Sequence, residues 1–398
     1  MISKRAQNVQ PSATLKVTGR AKELKREGKS IVSLSAGEPD FKTPSYICDA
    51  AIKAIHNGQH GYTMNLGTPE LREAICEKLK RDNGLEYDSS QIICSNGAKQ
   101  SVAFALLATV DKGDEVIIPA PYWVSYPEMT RLAEGLPVTV RASFESDFRL
   151  TAQQLEQAIT DKTRVLILCS PSNPTGSCYS KNDLETLAEV LRKHPKIIVI
   201  SDEIYEYIVF DDDHVSILNV AHDLKDRVIV VNGFSKGFAM TGWRLGYLAA
   251  HPAIVKAVST IQSQETSAPS SISQAAGLAA YTNNLSEVHA MRDEFRKRRD
   301  FMVSSLNAIE GVECFTPGGA FYVFPNISAH FGKSKPDGTA VETSTDLCLY
   351  LLDEFGLAVV PGDAFGEPDG LRMSYAASVE DLEEAMQRFT KGLNSLTP

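Results

Sequence analysis

The chain has 398 residues, 43% of them hydrophobic, and a formal net charge of −10. That length supports two domains with a sizeable core. The acidic balance argues against a general affinity for nucleic acid or for acidic membranes.

Taken from the N-terminus, "MISKRAQNVQPSA" lacks an apolar core of signal-peptide length, and no uncharged apolar stretch approaches a membrane span. "ATLKVTGRAKELKREG" reads as an extended arm leading into a helix, and residues 1–39 are expected to pack with a smaller C-terminal domain. His56 and His60 are four apart, but Asn57-Gly58 signals a turn between them, which speaks against a shared helix face and a metal site. From about residue 91, short apolar runs alternate with stretches of helical period: "QIICS", "DEVIIP", "PVTVRA", "TRVLILC", "KIIVIS", "RVIVVN" and "WRLGYLA". Continuous apolar strands alternating with helices such as "KNDLETLAEVLRKH" predict an α/β domain over about 40–285, with a mostly parallel seven-stranded sheet covered on both faces. Residues 286–398 read as a smaller α+β domain. It opens with a long charged helix near 287–309, whose "RDEFRKRRD" alternates sign as a solvated face does. "GAFYVFPNI", a helix over 343–354, "LAVVPG", "LRMSYAA" and a last helix from Val379 follow. The seven cysteines are odd in number, scattered and free of any C-x-x-C, which points to reduced thiols in a cytosol.

In open α/β sheets, ligands bind beyond the carboxyl ends of the strands. Asn96-Gly97-Ala98-Lys99 follows "QIICS" and opens a helix, a turn whose backbone N–H groups suit a phosphate. Tyr122 and Trp123 follow "DEVIIP", Asn173 sits in "SPSNPTG" after "TRVLILC", Asp202 and Tyr205 follow "KIIVIS", and Ser235 and Lys236 follow "RVIVVN". Singly, each has a bland reading: a strand-end aspartate, rim aromatics, a solvated Lys99, a surface Arg372, a lysine on a glycine-rich turn. Their convergence on one sheet edge is what counts. A lysine amine, a carboxylate, an amide, a phenol, an aromatic face and a phosphate site together suit pyridoxal phosphate. A lysine can form a Schiff base with its aldehyde, which removes the cost of burying an ammonium. Three classes remain at this point: an aminotransferase, another enzyme on the same scaffold such as a C–S lyase or decarboxylase, and a nucleotide-binding protein or non-catalytic regulator. No G-x-G-x-x-G follows the first sheet strand, which weakens nucleotide binding.

"PSATL", "SAGEPDF", "NLGTPELREA", "SNGAKQ", "PYWVSYPE", "SPSNPTG", "SDEIYE", "SKGFAMTGWRLGY", "GAFYVF", "VVPG" and "LRMSYA", in this order over nearly the whole chain, resemble the class I pyridoxal-phosphate aminotransferases of fold type I. The resemblance is greatest to the bacterial aspartate aminotransferase branch that includes aspartate/prephenate aminotransferases. It implies that Lys236 is the Schiff-base and acid/base lysine, that Asp202 pairs with the pyridine nitrogen, and that Asn173 and Tyr205 hold the ring oxygen. It implies Trp123 on the ring face, and Gly97, Ala98, Lys99, Ser235 and Arg244 at the phosphate. Arg372, helped by Gly37 and Asn173, would take the substrate α-carboxylate. Lys99, with Ser12 and Thr14, would take the distal carboxylate of aspartate or glutamate. Tyr62 would reach the neighbouring subunit's cofactor phosphate in a homodimer with shared sites. The expected partners are amino acids and 2-oxo acids, in the cytoplasm, with prephenate as a further substrate and a neutral or aromatic aminotransferase as the alternative. Two positions depart from the pattern: Gly233 stands where much of the family has serine, and Gln10 where relatives active on prephenate often carry a basic residue.

Overall fold

The computed structural model describes residues 1–11 and 13–398. Among the described residues twelve strands are formed: β1 (Val32–Ser33), β2 (Ile92–Ser95), β3 (Glu115–Ala120), β4 (Leu136–Arg141), β5 (Thr163–Cys169), β6 (Ile198–Asp202), β7 (Val228–Gly233), β8 (Gly246–Ala249), β9 (Tyr322–Val323), β10 (Leu357–Ala358), β11 (Val360–Pro361) and β12 (Leu371–Ser374). Seven make one sheet in the order β2-β8-β7-β6-β5-β3-β4. All its pairings are parallel except the two made by β8. The fold is thus the α/β architecture the apolar runs predict.

Period-two alternation splits each central strand between two cores. Leu166, Leu168, Val199, Val228 and Val230 pack on one face; Val165, Ile167, Ile198, Ile200, Ile229 and Val231 pack on the other. Helices cover both faces, so these strands are apolar throughout. β2, β5, β6 and β7 run the same way, and their ends at Ser95, Cys169, Asp202 and Gly233 form one edge.

The C-terminal part carries the antiparallel sheet β11-β12-β9. β1 pairs parallel with β10, which ties the N-terminal segment to this part. Two sequence expectations differ in detail. "ATLKVTG" is helical, not extended: the helix spans Ala13–Arg26, because Ala21 and Leu24, with Val17 beside them, pack on Ile31, Leu352 and Ala358. The strand expected over "WRLGYLA" begins only at Gly246, because Arg244 turns the chain in the left-handed region at φ 51°.

Candidate active site

A cavity of about 410 Å³ opens at the strand edge, between the seven-stranded sheet and the C-terminal part. Thr14, Gly37, Ala98, Lys99, Trp123, Asn173, Asp202, Tyr205, Ser235, Lys236, Arg244 and Arg372 all line it. Three expected residues stand apart. Gly97 lies just behind the lining, Tyr62 is fully exposed and outside its own chain's cavity, and Ser12 lies outside the described residues.

Trp123, Asn173, Asp202, Ser235 and Lys236 lie at or just after the ends of β3, β5, β6 and β7, while Ala98 and Lys99 open the helix that follows β2. Gly97 precedes the helix Ala98–Thr109 at φ 85°, and a Cβ there would fall 2.6 Å from Arg244 Nη2. The left-handed turn at Arg244 therefore aims its guanidinium at a helix N-terminus, where it donates to the Thr241 carbonyl at 2.8 Å and the Asn96 carbonyl at 3.3 Å. The pair makes an anion cradle of free N–H groups and one guanidinium. Gly233 also has a steric cause: a Cβ would lie 2.8 Å from Gly246 Cα, so the β7–β8 approach leaves no room for a side chain.

Lys236 follows β7 and donates to the Gly37 carbonyl. Burial, and then the charge of Arg372, bring its ammonium down to about 8. Asp202 ends β6 and is buried; desolvation pushes its carboxyl up to about 6, against the donors Tyr126 and the Ile204 amide. The Tyr126 hydroxyl donates to Asp202 Oδ2 at 2.7 Å. Tyr205 shares a hydrogen bond of 3.0 Å with Tyr322, and burial raises both phenols. Arg372 is 1% exposed on β12. It donates to Asn173 Oδ1 at 3.0 Å and to the Ser35 carbonyl at 2.7 Å, and lies over the rings of Tyr322 and Phe365. Among the described residues no carboxylate pairs with it, and its Nε has no partner. Lys99 Nζ stands 5.3 Å from the centre of the Trp123 ring, and burial, then Arg244, lower its pKa.

A buried guanidinium without a carboxylate, and a buried carboxyl and ammonium that each favour neutrality, are costly alone. All three are resolved by a ligand with a carboxylate, a protonated ring nitrogen and a carbonyl that condenses with the amine. The donor set therefore fits pyridoxal phosphate with an amino acid. Sequence reading missed three contributors. Tyr126 sits three residues after Trp123 within the quoted "PYWVSYPE", Tyr322 lies in the quoted "GAFYVF", and Ser35 opens the quoted "SAGEPDF" but acts through its carbonyl, which a pattern of side chains does not mark.

Comparison with known proteins agrees with this geometry. The sequence pattern of the family described as aminotransferase class I and II matches residues 29–389. A bifunctional aspartate aminotransferase and glutamate/aspartate-prephenate aminotransferase of Petunia hybrida is 49% identical, over 100% of this chain and 84% of that one. The crystal structure of the aspartate aminotransferase from Rhizobium meliloti superposes with a TM-score of 0.97 at 45% identity, covering 100% of both chains. The Thermus thermophilus aspartate aminotransferase with maleate does so at 0.92 and 40% identity, over 98% of this chain and 99% of that one.

Proposed function

We propose, because the chain belongs to the class I and II aminotransferase family, that it is a pyridoxal-phosphate-dependent aminotransferase moving the amino group of L-aspartate to 2-oxoglutarate, with oxaloacetate and L-glutamate as products. The observation that carries this is the buried, acid-free Arg372 facing the same cavity as Lys236 and Asp202. Bound there, pyridoxal phosphate supplies a carbonyl and an electron-withdrawing ring that lets an amino acid's Cα–H bond break. Lys236 Nζ, with its depressed pKa, takes that proton and returns it. Asp202 holds the proton on the ring nitrogen, Asn173 and Tyr205 the ring oxygen, and Trp123 the ring face. Gly97, Ala98, Ser235 and Arg244 hold the phosphate. Arg372 and Gly37 orient the α-carboxylate, while Lys99 and Thr14 take the distal one, with Ser12 assigned beside them by family likeness. The maleate of the Thermus protein, a four-carbon diacid, supports that length of substrate.

The same proposal divides the chain into residues 1–39, 40–285 and 286–398, supported by separate apolar clusters on the large sheet and the C-terminal strands. It places the enzyme in the cytoplasm, in keeping with seven free cysteines. Among the described residues no helix is long and apolar enough to cross a membrane. A second copy covers the exposed Ile52, Ile55, Tyr62 and Met64, and Tyr62 serves the neighbouring site. Prephenate is a second acceptor on the strength of the Petunia protein's name, with Gln10 counting against it.

Half-reaction spectra of the cofactor-loaded protein with aspartate, glutamate, alanine and phenylalanine test the assignment. Lys236→Ala abolishes turnover. Lys99→Ala lowers kcat/KM for aspartate by roughly tenfold to a thousandfold, as expected for a charge-assisted contact in a closed site, and changes alanine far less. Wild-type turnover in Lys236→Ala, or an equal loss for all four acids in Lys99→Ala, overturns the corresponding role.

A further inference from the structure

The helix Ala13–Arg26 has two adjacent faces. Val17, Ala21 and Leu24 pack against Ile31, Leu352 and Ala358. Thr14, Thr18 and Lys22 follow at i, i+4 and i+8, so they form one row, and all three line the cavity that holds Lys236 and Arg372. The row is tied to the α-carboxylate end. Thr18 Oγ1 lies 3.0 Å from Ser35 Oγ, and the Ser35 carbonyl accepts from Arg372 Nη2 at 2.7 Å.

Lys22 is exposed and, among the described residues, has no ion-pair partner. Its neighbour Arg20, by contrast, is within ion-pair distance of both Glu23 and Glu27. The cavity lining carries Lys22, Lys99, Lys236, Arg244 and Arg372 against only Glu38 and Asp202. With Arg244 assigned to the phosphate, Lys236 to the carbonyl and Arg372 to the α-carboxylate, Lys22 and Lys99 are the cations of this lining left for a distal carboxylate. Two of the cations stand on different elements of the lining: Lys99 over the Trp123 ring in the first turn of the helix Ala98–Thr109, and Lys22 on the row of the helix Ala13–Arg26. A single long-stemmed ammonium serves a limited range of distances. Two of them, on different elements of the lining, extend the range of diacid lengths that can be held from a fixed Arg372.

We propose that Lys22, with Thr18 and Thr14, forms an outer carboxylate subsite at the mouth of this cavity, which takes the distal carboxylate of 2-oxo and 2-amino diacids of six carbons or more. This rests on the aminotransferase reading above, in which Arg372 takes the α-carboxylate. Shorter diacids reach Lys99 and Thr14 but not Lys22. Lys22 is therefore a specificity-determining residue for long diacids and is silent for aspartate.

Calorimetric titration of the cofactor-loaded protein with succinate, adipate and pimelate tests this without turnover. Lys22→Ala weakens adipate and pimelate by roughly fivefold, the upper range for an exposed ion pair, and succinate by less than about twofold. Lys22→Arg restores the long diacids, and raising the salt to 0.5 M shrinks the difference because the charge is exposed. Equal weakening at all three lengths, no weakening of the long diacids, or wild-type protein that binds neither of them overturns the proposal. The half-reaction with aspartate on the same preparation separates the two readings. No conversion of aspartate removes the aminotransferase reading. Normal conversion with an unaltered length series in Lys22→Ala removes only the outer subsite.

Discussion

Replacing Tyr126 with phenylalanine removes one hydroxyl and keeps the ring. The edge-on contact with Trp123, at 5.3 Å between centroids and 90° between planes, survives, so the aromatic packing at the cavity stays in place. The O–H donated to Asp202 Oδ2 at 2.7 Å is lost, from a site where both residues are buried. A hydrogen bond to a charged acceptor is worth about 1.5–3 kcal/mol, which corresponds to about one to two pH units in the carboxyl's titration. Burial already holds that carboxyl at about 6, with Tyr126 the first of the groups opposing it. Its loss moves the titration through neutrality, so the group that should keep the ring nitrogen protonated becomes partly neutral at pH 7. Infrared titration of the carboxyl stretch in the cofactor-free protein reads the shift directly. In the loaded enzyme, kcat for aspartate falls by about tenfold or more, with KM little changed because Arg372 and Lys99 are untouched. An infrared titration that stays in place in Tyr126→Phe refutes the reasoning and leaves Tyr126 as packing only.

Asp202 also sets a pH dependence of stability. Its folded pKa of about 6 lies above the usual carboxylate value, so between pH 4 and 6 the folded chain keeps a proton that the unfolded chain has released. Stability of the cofactor-free protein therefore falls as pH rises through that window, by about 3 kcal/mol for this group. Asp202→Asn lacks this slope, so urea unfolding should show its advantage over wild type growing by about that amount from pH 4 to 7; a difference independent of pH refutes the assignment. Lys78, fully buried, pairs with Glu206, itself 3% exposed in its side chain. Lys78→Met strands the carboxylate and should cost about 3–5 kcal/mol in urea unfolding, while the double variant Lys78→Met with Glu206→Leu recovers most of it. A single variant within about 1 kcal/mol of wild type shows that the pair is not a closed one.

The seven strands were legible because both faces of the sheet are covered, which forces unbroken apolar runs such as "TRVLILC" and "RVIVVN". The strand-end rule then put Trp123, Asn173, Asp202, Ser235 and Lys236 on one edge before any geometry was known. Family likeness, not spacing, added Arg372, which lies more than a hundred residues away on the antiparallel β12. The start of the helix at Ala13 was hidden because the apolar side chains described on it, Val17, Ala21 and Leu24, make a short stripe whose partners Leu352 and Ala358 are far off in sequence. The aim of Arg244 was hidden because a left-handed residue followed by a short antiparallel strand looks, in sequence, like continuous strand. Tyr126 was hidden because a tyrosine in the first turn of a helix is more often core, and only the distance to Asp202 gives it another role. Tyr62 is the opposite case: it is fully exposed in one chain, and only the family likeness directs it to a second copy.

The turn after β6 carries a division that the motif "SDEIYE" encodes without announcing it. Asp202 and Tyr205 face the cavity. Glu203 and Glu206 face away from it, into networks of their own. Glu203 accepts from Ser201 at 2.8 Å and Ser216 at 2.7 Å and meets His214 at 3.0 Å; Glu206 is held by Lys78 and by Asn83 at 2.9 Å. Glu203, Glu206 and His214 bring their ligand atoms within 4.8 Å of one another, the spacing of a metal site. Yet a lysine ammonium already occupies the Glu206 carboxylate, and two hydroxyls occupy Glu203, so the donors are spent on each other. Buried carboxylates satisfied in this way fix backbone direction, because any rotation of the turn would strand a charge. Apolar residues at 203 and 206 would pack as well and cost less to bury. They would not resist the small rotation that carries Asp202 and Tyr205 off the ring they are proposed to hold, and a site that must hold a carboxyl and a phenol in fixed positions needs that resistance.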